Sequence, residues 1–240
     1  MMLSRDQIKW FAFVTMVIDH IGCMFLSKKG SPQMYFICRT LIGRMAFPIF
    51  CALMVDGFFK TRQPWRHVLD LMCFGIVSEF VFDYVGTQGL WWVNLTHQNV
   101  MFTWAMAYVM LIFLKYIDQT VFVKWMKYLF TGAVVFGFAY TSDKLCLDYR
   151  SVAMFSVFLC YVTKKMFPEV PLWILCLMAG LCVSFSYMRF SALLGVIPCY
   201  LYDSSLNKRQ SVFSKYLYYF MYPLHLGLIT AVGIFVNRLL

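Results

Sequence analysis

"IKWFAFVTMVIDHIGCMFL", residues 8 to 26, decides how the chain is read. As a helix rising about 1.5 Å per residue, a run of this length nearly crosses a hydrocarbon core about 30 Å thick. No small-residue cleavage site follows it, so it reads as a first membrane span that stays rather than a removed signal. Within it Asp19 and His20 stand side by side. Ionisable groups inside a span are expensive, and by default they mark function.

The rest of the chain is of the same kind. Of its 240 residues 62% are hydrophobic, 20% are aromatic and only 13% are charged. Soluble domains hold roughly 45–50% apolar and about 25% charged residues, so a soluble fold would leave this much apolar surface in water. The fold class is all-α, a polytopic transmembrane helical bundle in the lipid bilayer. At roughly 20 residues per span the length admits about eight or nine helices. The apolar runs place them at 7–26, 33–58, 67–84, 98–117, 121–141, 146–166, 170–188, 191–203 and 214–236. The eighth is short for a crossing. Continuous apolar runs, rather than short alternating ones, argue against a β-barrel. No soluble domain or linker interrupts the chain, so residues 1–240 form one domain.

The net charge of +10 does not point to nucleic acid, because the basic residues fall mainly in short loops and form no basic stripe with its own fold. They set topology instead. Arg5, Lys9, Lys60, Arg62, Arg66, Lys115, Lys124, Lys127, Lys164, Lys165, Lys208, Arg209 and Lys215 fall on one side if nine spans start in the cytosol. Lys28, Lys29, Lys144, Arg150, Arg189 and Arg238 fall on the other, with the Lys28–Lys29 pair the awkward exception. The N-terminus is therefore expected in the cytosol and the C-terminus outside. The loop "DYVGTQGLWWVNLTHQ", residues 83–98, has no Lys or Arg and is expected outside, with Trp91 and Trp92 suited to the interface. The nine cysteines are scattered with no CxxC pair; they read as small buried hydrophobes, and no metal is expected.

Several further ionisable or polar residues lie within or at the ends of spans. The second span has Arg39 and Arg44 in "FICRTLIGRMAFPIF", and Asp56 near its end. Glu79 and Asp83 lie in the third span, Asn99 and Thr103 open the fourth, Asp148 and Arg150 open the sixth, and His225 lies in the last. His20 sits roughly 20 Å past the cytosolic entry. Arg39, Asn99, Thr103, Asp148 and Arg150 lie at outer ends. These depths allow one outward-biased cavity. On a helix Asp19 and His20 point about 100° apart and need not bond each other. One arrangement has His20 facing the cavity while Asp19 pairs with Arg39 or Arg44. Interhelical bonds that only fix packing are the plainer reading of any single residue.

With these residues in view, the sequence resembles the TraX family of integral-membrane pilin N-acetylases. The resemblance rests on "IKWFAFVTMVIDHIG", "LIGRMAFPIFCALMVDGFFKT", "NVMFT", "LDYR" and "KYLYYFMYPLHL", blocks that run from about Ile8 to Leu226. It implies an enzyme of a bacterial cytoplasmic membrane that moves an acetyl group from acetyl-CoA, its co-substrate, to an exported peptide, pilin N-terminus or glycan. By analogy with larger membrane acyltransferases, His20 matches a catalytic histidine. In that role His20 acts as base or acyl carrier, with His225 the competing candidate. Asp19 would orient the ring if folding brings the two together, and Arg39, Arg44 or Asn99 would stabilise the oxyanion. Thr103, Asp148 and Arg150 would contact the acceptor. Lys60, Arg62, Arg66, Lys208, Arg209 and Lys215 would hold the phosphates of coenzyme A. Oligomerisation is open. An ion- or proton-coupled transporter and a non-catalytic assembly protein for a surface appendage are the alternatives. Buried Asp, His and Arg also build relays, but no inverted repeat is visible.

Overall fold

The structure is a computed structural model and describes residues 2–26, 31–87, 90, 93–94, 96–188, 190–207 and 211–239. Among them the chain forms nine helical segments and no strand beyond two isolated bridges. In chain order these are α1 Arg5–Phe25, α2 Pro32–Lys60, α3 Pro64–Gly86, α4 Val100–Thr120 and α5 Lys124–Lys144. After them come α6 Arg150–Met166, α7 Leu172–Tyr187, α8 Phe190–Tyr200 and α9 Val212–Leu239. Four helical stretches are long and apolar enough to cross a membrane by themselves: α1, α2, α4 and, within α9, Tyr216–Val236.

Local sequence explains where the helices start. Ser4 caps α1 reciprocally with Gln7, and Asp6 sits in the first turn, where it faces the positive end of the helix dipole. Pro32 and Pro64 open α2 and α3, where a missing N–H costs nothing. The side chain of Asn99 caps α4 by accepting from the Met101 N–H at 2.9 Å.

The helices alternate between two ends. At the first, Leu3 pairs with the chain after α8: the Leu3 N–H donates to Leu201 at 2.7 Å and Leu3 accepts from Asp203 at 2.9 Å. At the opposite end Gln98 donates to Cys146 at 3.0 Å, joining the approaches to α4 and α6. The short α8 bridges these ends beside α2. Ser191 bonds the Thr40 carbonyl near its start, Gly195 abuts Met45, and Tyr200 meets Trp173 at the beginning of α7. Its eleven residues mix 3₁₀ and α geometry, which stretches them.

Around an apolar core, much of the outer surface is apolar too, and several polar groups are buried. On α3, Leu69, Met72, Ile76, Val77 and Phe80 are exposed, while Ser78 and Asp83 are buried. That inversion of the soluble pattern suits a lipid surround. At the first end Asp56 gathers Arg5 at 2.6 Å, Lys60 at 2.7 Å and Lys164 at 3.4 Å, tying α1, α2 and α6 together. Asp56→Asn is expected to cost about 2 kcal/mol, because charge-assisted bonds to a buried carboxylate are lost. Thermal unfolding in detergent reads this out, and an unchanged midpoint would refute the brace.

Candidate functional site

The second helix departs from α geometry where its arginines lie. Ile37–Ile42 is a π-helical stretch and Gly43–Met45 a 3₁₀ turn, set between regular α-helix at Pro32–Phe36 and from Ala46 onward. Pro48 has no N–H for the carbonyl of Arg44, so its part in the irregularity falls before it in the chain. On a regular helix, residues five apart point about 140° from each other. The wider π turn instead brings Arg39 and Arg44 to the same cavity.

That cavity has a volume of about 620 Å³. Its lining runs from Leu71 to Gly86 along α3, a rise of about 22 Å. Its outer mouth holds the exposed Arg150 together with His97 and Asp148, whose side chains approach to 3.6 Å. Its inner end holds Phe13, Leu71, Tyr218 and Tyr219, with the Lys9 ammonium 4.6 Å from the Tyr218 ring centre.

His20 lines the cavity between these levels. Its Nδ1 lies 2.8 Å from Nε2 of His225, and the two rings are nearly parallel at 15°. Nδ1 of His225 lies 2.9 Å from the Met221 carbonyl. A carbonyl only accepts, so His225 Nδ1 carries the proton. With both rings neutral, His225 Nε2 accepts, His20 Nδ1 donates, and His20 Nε2 keeps a bare lone pair. His225 is not part of the lining; it stands behind His20, with Phe13 edge-on at 5.2 Å.

Asp19 turns away from this pair. Gly43 leaves room for it, and Arg39 Nη1 donates to Asp19 Oδ2 at 2.8 Å. Of the two arrangements open in the sequence, the structure takes the Asp19–Arg39 pair; the ring of His20 is oriented by His225. Arg44 donates from Nε to the Arg39 carbonyl at 3.2 Å and from Nη1 to the Tyr149 hydroxyl at 3.1 Å. Tyr149 stacks on Phe47 at 4.0 Å, and Phe47 on Trp104 at 5.0 Å.

Tyr149 is the main residue that sequence reasoning missed. It sits between Asp148 and Arg150 in "LDYR", and both Tyr149 and Arg150 have positive φ, 58° and 48°. Such backbone costs about 1–3 kcal/mol per residue and persists where the surroundings over-determine it. Here the Tyr187 hydroxyl donates to the Tyr149 carbonyl, and the Tyr149 N–H donates to its neighbour's Asp148 side chain. No periodicity signals this; only the charged residues flanking the tyrosine hint at it.

Two assigned residues do other work. Asn99 is fully buried, and its side chain is spent on capping α4, on the Gly75 carbonyl at 2.9 Å and on Glu79. It is not among the residues that line the cavity. Thr103 is likewise buried and outside the lining; it donates to the Asp148 carbonyl at 3.0 Å and so positions that loop. Asp148 and Arg150 do line the cavity. Of the residues assigned to coenzyme A, Lys60 is held by Asp56, Arg66 donates to the Tyr216 hydroxyl at 3.3 Å, and Arg62 is exposed. All three lie at the first end, outside the cavity. Lys208, Arg209 and the side chain of Lys215 lie outside the described residues. Among the described residues no group of three or more His, Cys, Asp or Glu side chains is placed to hold a metal.

Fold and site together define a polytopic helical membrane protein with a buried histidine pair opening on an aromatic, arginine-bearing cavity. The TraX protein family matches residues 4–233, and the chain belongs to that family. It is also 32% identical over 110 residues to a protein described as probable fimbrial assembly protein FimC, serogroup H1, from Dichelobacter nodosus. That match covers 43% of each chain, less than half of the relative's length. No solved structure matches.

Proposed function

We propose that this protein is an integral-membrane acyltransferase of a bacterial cytoplasmic membrane. It moves an acetyl group from cytosolic acetyl-CoA to an acceptor that enters from the opposite side. The observation that carries the reading is the hydrogen-bond order Met221–His225–His20, which leaves an unprotonated Nε2 on a ring that lines a cavity reaching towards both ends. The orientation follows from the Lys- and Arg-rich first end, which contains Arg5, Lys60, Arg62 and Arg66 and faces the cytosol under the positive-inside rule. The similarity to a probable fimbrial assembly protein makes an exported surface peptide or a glycan a reasonable acceptor class.

The residues then divide the chemistry. His20 Nε2 takes the proton from the acceptor amine or hydroxyl as that atom attacks the thioester carbonyl. His225 holds the ring in its productive tautomer and shares the positive charge that forms. Arg39, steadied by Asp19, donates to the oxygen on which negative charge develops. When the C–S bond breaks, the coenzyme A thiolate recovers the proton from His20. The acyl group ends on the acceptor and no electrons change hands. The pantetheine arm enters past Tyr218 and Tyr219, beside Lys9, and the exposed Arg62 and Arg66 are the described cations available to its phosphates.

Calorimetry of acetyl-CoA and of coenzyme A on detergent-purified protein tests this first. Saturable binding of both supports the reading, and a well-folded sample that binds neither refutes it. Uptake of an ion or solute in liposomes without coenzyme A would move the assignment to transport.

A further inference from the structure

Arg44 is a guanidinium in the interior of a membrane protein whose described hydrogen-bond partners are both uncharged. They are the Arg39 carbonyl and the Tyr149 hydroxyl. Among the described residues no ion pair is formed to it; Asp19, paired with Arg39, and Asp148, beside His97, attract it only from beyond ion-pair distance. It lies sixteen residues from Lys60, about 24 Å along its helix, too deep for its charge to reach water at the cytosolic end. The cavity lining carries Arg39, Arg44 and Arg150 against Asp19 and Asp148, an excess of one positive charge before His97 is counted. Arg44 is half-buried, and a cation withdrawn from water in this way is kept where something neutralises it. Arginine in particular presents a planar fork matched to carboxylate and phosphate.

We infer that Arg44 is an anion-binding subsite, and that the acceptor carries a carboxylate or phosphate group close to its nucleophile. The geometry around Arg44 is built for this. Tyr149 is held by stacking on Phe47 and by its strained backbone, so its hydroxyl fixes one arm of the fork. The Arg39 carbonyl fixes Nε, leaving the outer edge of the guanidinium for a ligand. Arg150 at the mouth draws the anion in, and the aromatic walls exclude its water. As a statement about the acceptor this rests on the acyl-transfer reading; as a statement about Arg44 it does not.

The first arm therefore needs no turnover. Phenylglyoxal modifies accessible guanidinium groups, and peptide mass spectrometry reads Arg44 separately from Arg150. In detergent-purified full-length protein, glycine, O-phosphoethanolamine, inorganic phosphate, ethanolamine or coenzyme A is added as the protecting compound. Arg44 is expected to label in the free protein. An anion at ten times its Kd should slow that labelling about tenfold by occupancy, and ethanolamine should leave it unchanged. Glycine protecting alone identifies a carboxylate site, and the phosphates protecting alone identify a phosphate site. Protection by coenzyme A only, by ethanolamine equally, by no compound, or no labelling of Arg44 at all overturns the subsite.

The second arm measures acetyl transfer from acetyl-CoA to glycine against glycinamide, and to O-phosphoethanolamine against ethanolamine. The anionic member of the pair that protects is expected to be preferred. The preference should vanish in Arg44→Gln and weaken in Arg44→Lys, which keeps the charge without the fork. Equal use of both members overturns the subsite and leaves acyl transfer standing. Protection without any transfer upholds the subsite and counts against acyl transfer.

Discussion

His20→Ala is expected to lower acetyl transfer by a factor of about 10²–10⁴, the range a positioned general base contributes. Binding of acetyl-CoA and the unfolding midpoint should change little. The ring fills a small part of a cavity wall, and its only described hydrogen bond is to another imidazole. His225→Ala is expected to lose less, since it removes the orienting partner and leaves the base. The double variant should be no worse than His20→Ala alone, because residues that act as a unit are not additive. His225→Gln separates orientation from packing: its side-chain oxygen can accept from His20 Nδ1, so it should recover part of the rate. Full turnover in a folded His20→Ala variant would remove His20 from the chemistry. A double variant much slower than His20→Ala would show that the two rings act independently.

The second large effect is structural and falls on Gly43. A Cβ at this position would stand 2.6 Å from both Cβ and Cγ of Asp19, well inside van der Waals contact. Even Gly43→Ala must push α1 and α2 apart or break the Asp19–Arg39 pair. Breaking a fully buried pair costs about 3–5 kcal/mol; this one is half-buried, so its loss costs less and adds to the cost of moving the helices apart. The expected result is a large fall in the unfolding midpoint of detergent-solubilised protein. The clash involves the Asp19 Cβ as well as its carboxylate, so Asp19→Ala should not rescue Gly43→Ala. Rescue by that change, or a midpoint within error of wild type, would show that the helices are not packed this closely. The same contact explains why a glycine opens the 3₁₀ turn between Arg39 and Arg44: close helix approach and arginine placement are met by one small residue.

The site's electrostatics join these two predictions. Asp19 turns away from the histidine pair, yet it fixes Arg39, and Arg39 through its carbonyl fixes Arg44. Disturbing Gly43 therefore reaches both arginines without touching His20. Loss of activity in Gly43→Ala with retained coenzyme A binding would match that route.

The sequence by itself determined that this is a helical membrane protein of about nine segments. The nineteen-residue run around Asp19 and His20, and the further apolar runs after it, one of them short for a crossing, are local facts of hydropathy and length. The Lys and Arg count gives an expected orientation, with the first end in the cytosol. The presence of Asp19, His20, Arg39, Arg44 and His225 within spans marked the site, because each is costly there and needs a partner. Which partner each takes was decided only by the tertiary structure. His20 and His225 are 205 positions apart, and nothing in either segment says that α1 and α9 touch at that level. Whether Asp19 turns to the ring or to Arg39 depends on the rotation of α1 against α2, and that is set by the missing Cβ of Gly43. Tyr149 enters the site through a left-handed backbone that local preference opposes and only the surrounding contacts hold. Asn99 is spent on a helix cap, a role decided by the closeness of α3. Burial of a charge is written in one segment; the group that answers it lies on another, and close packing of the helices chooses which.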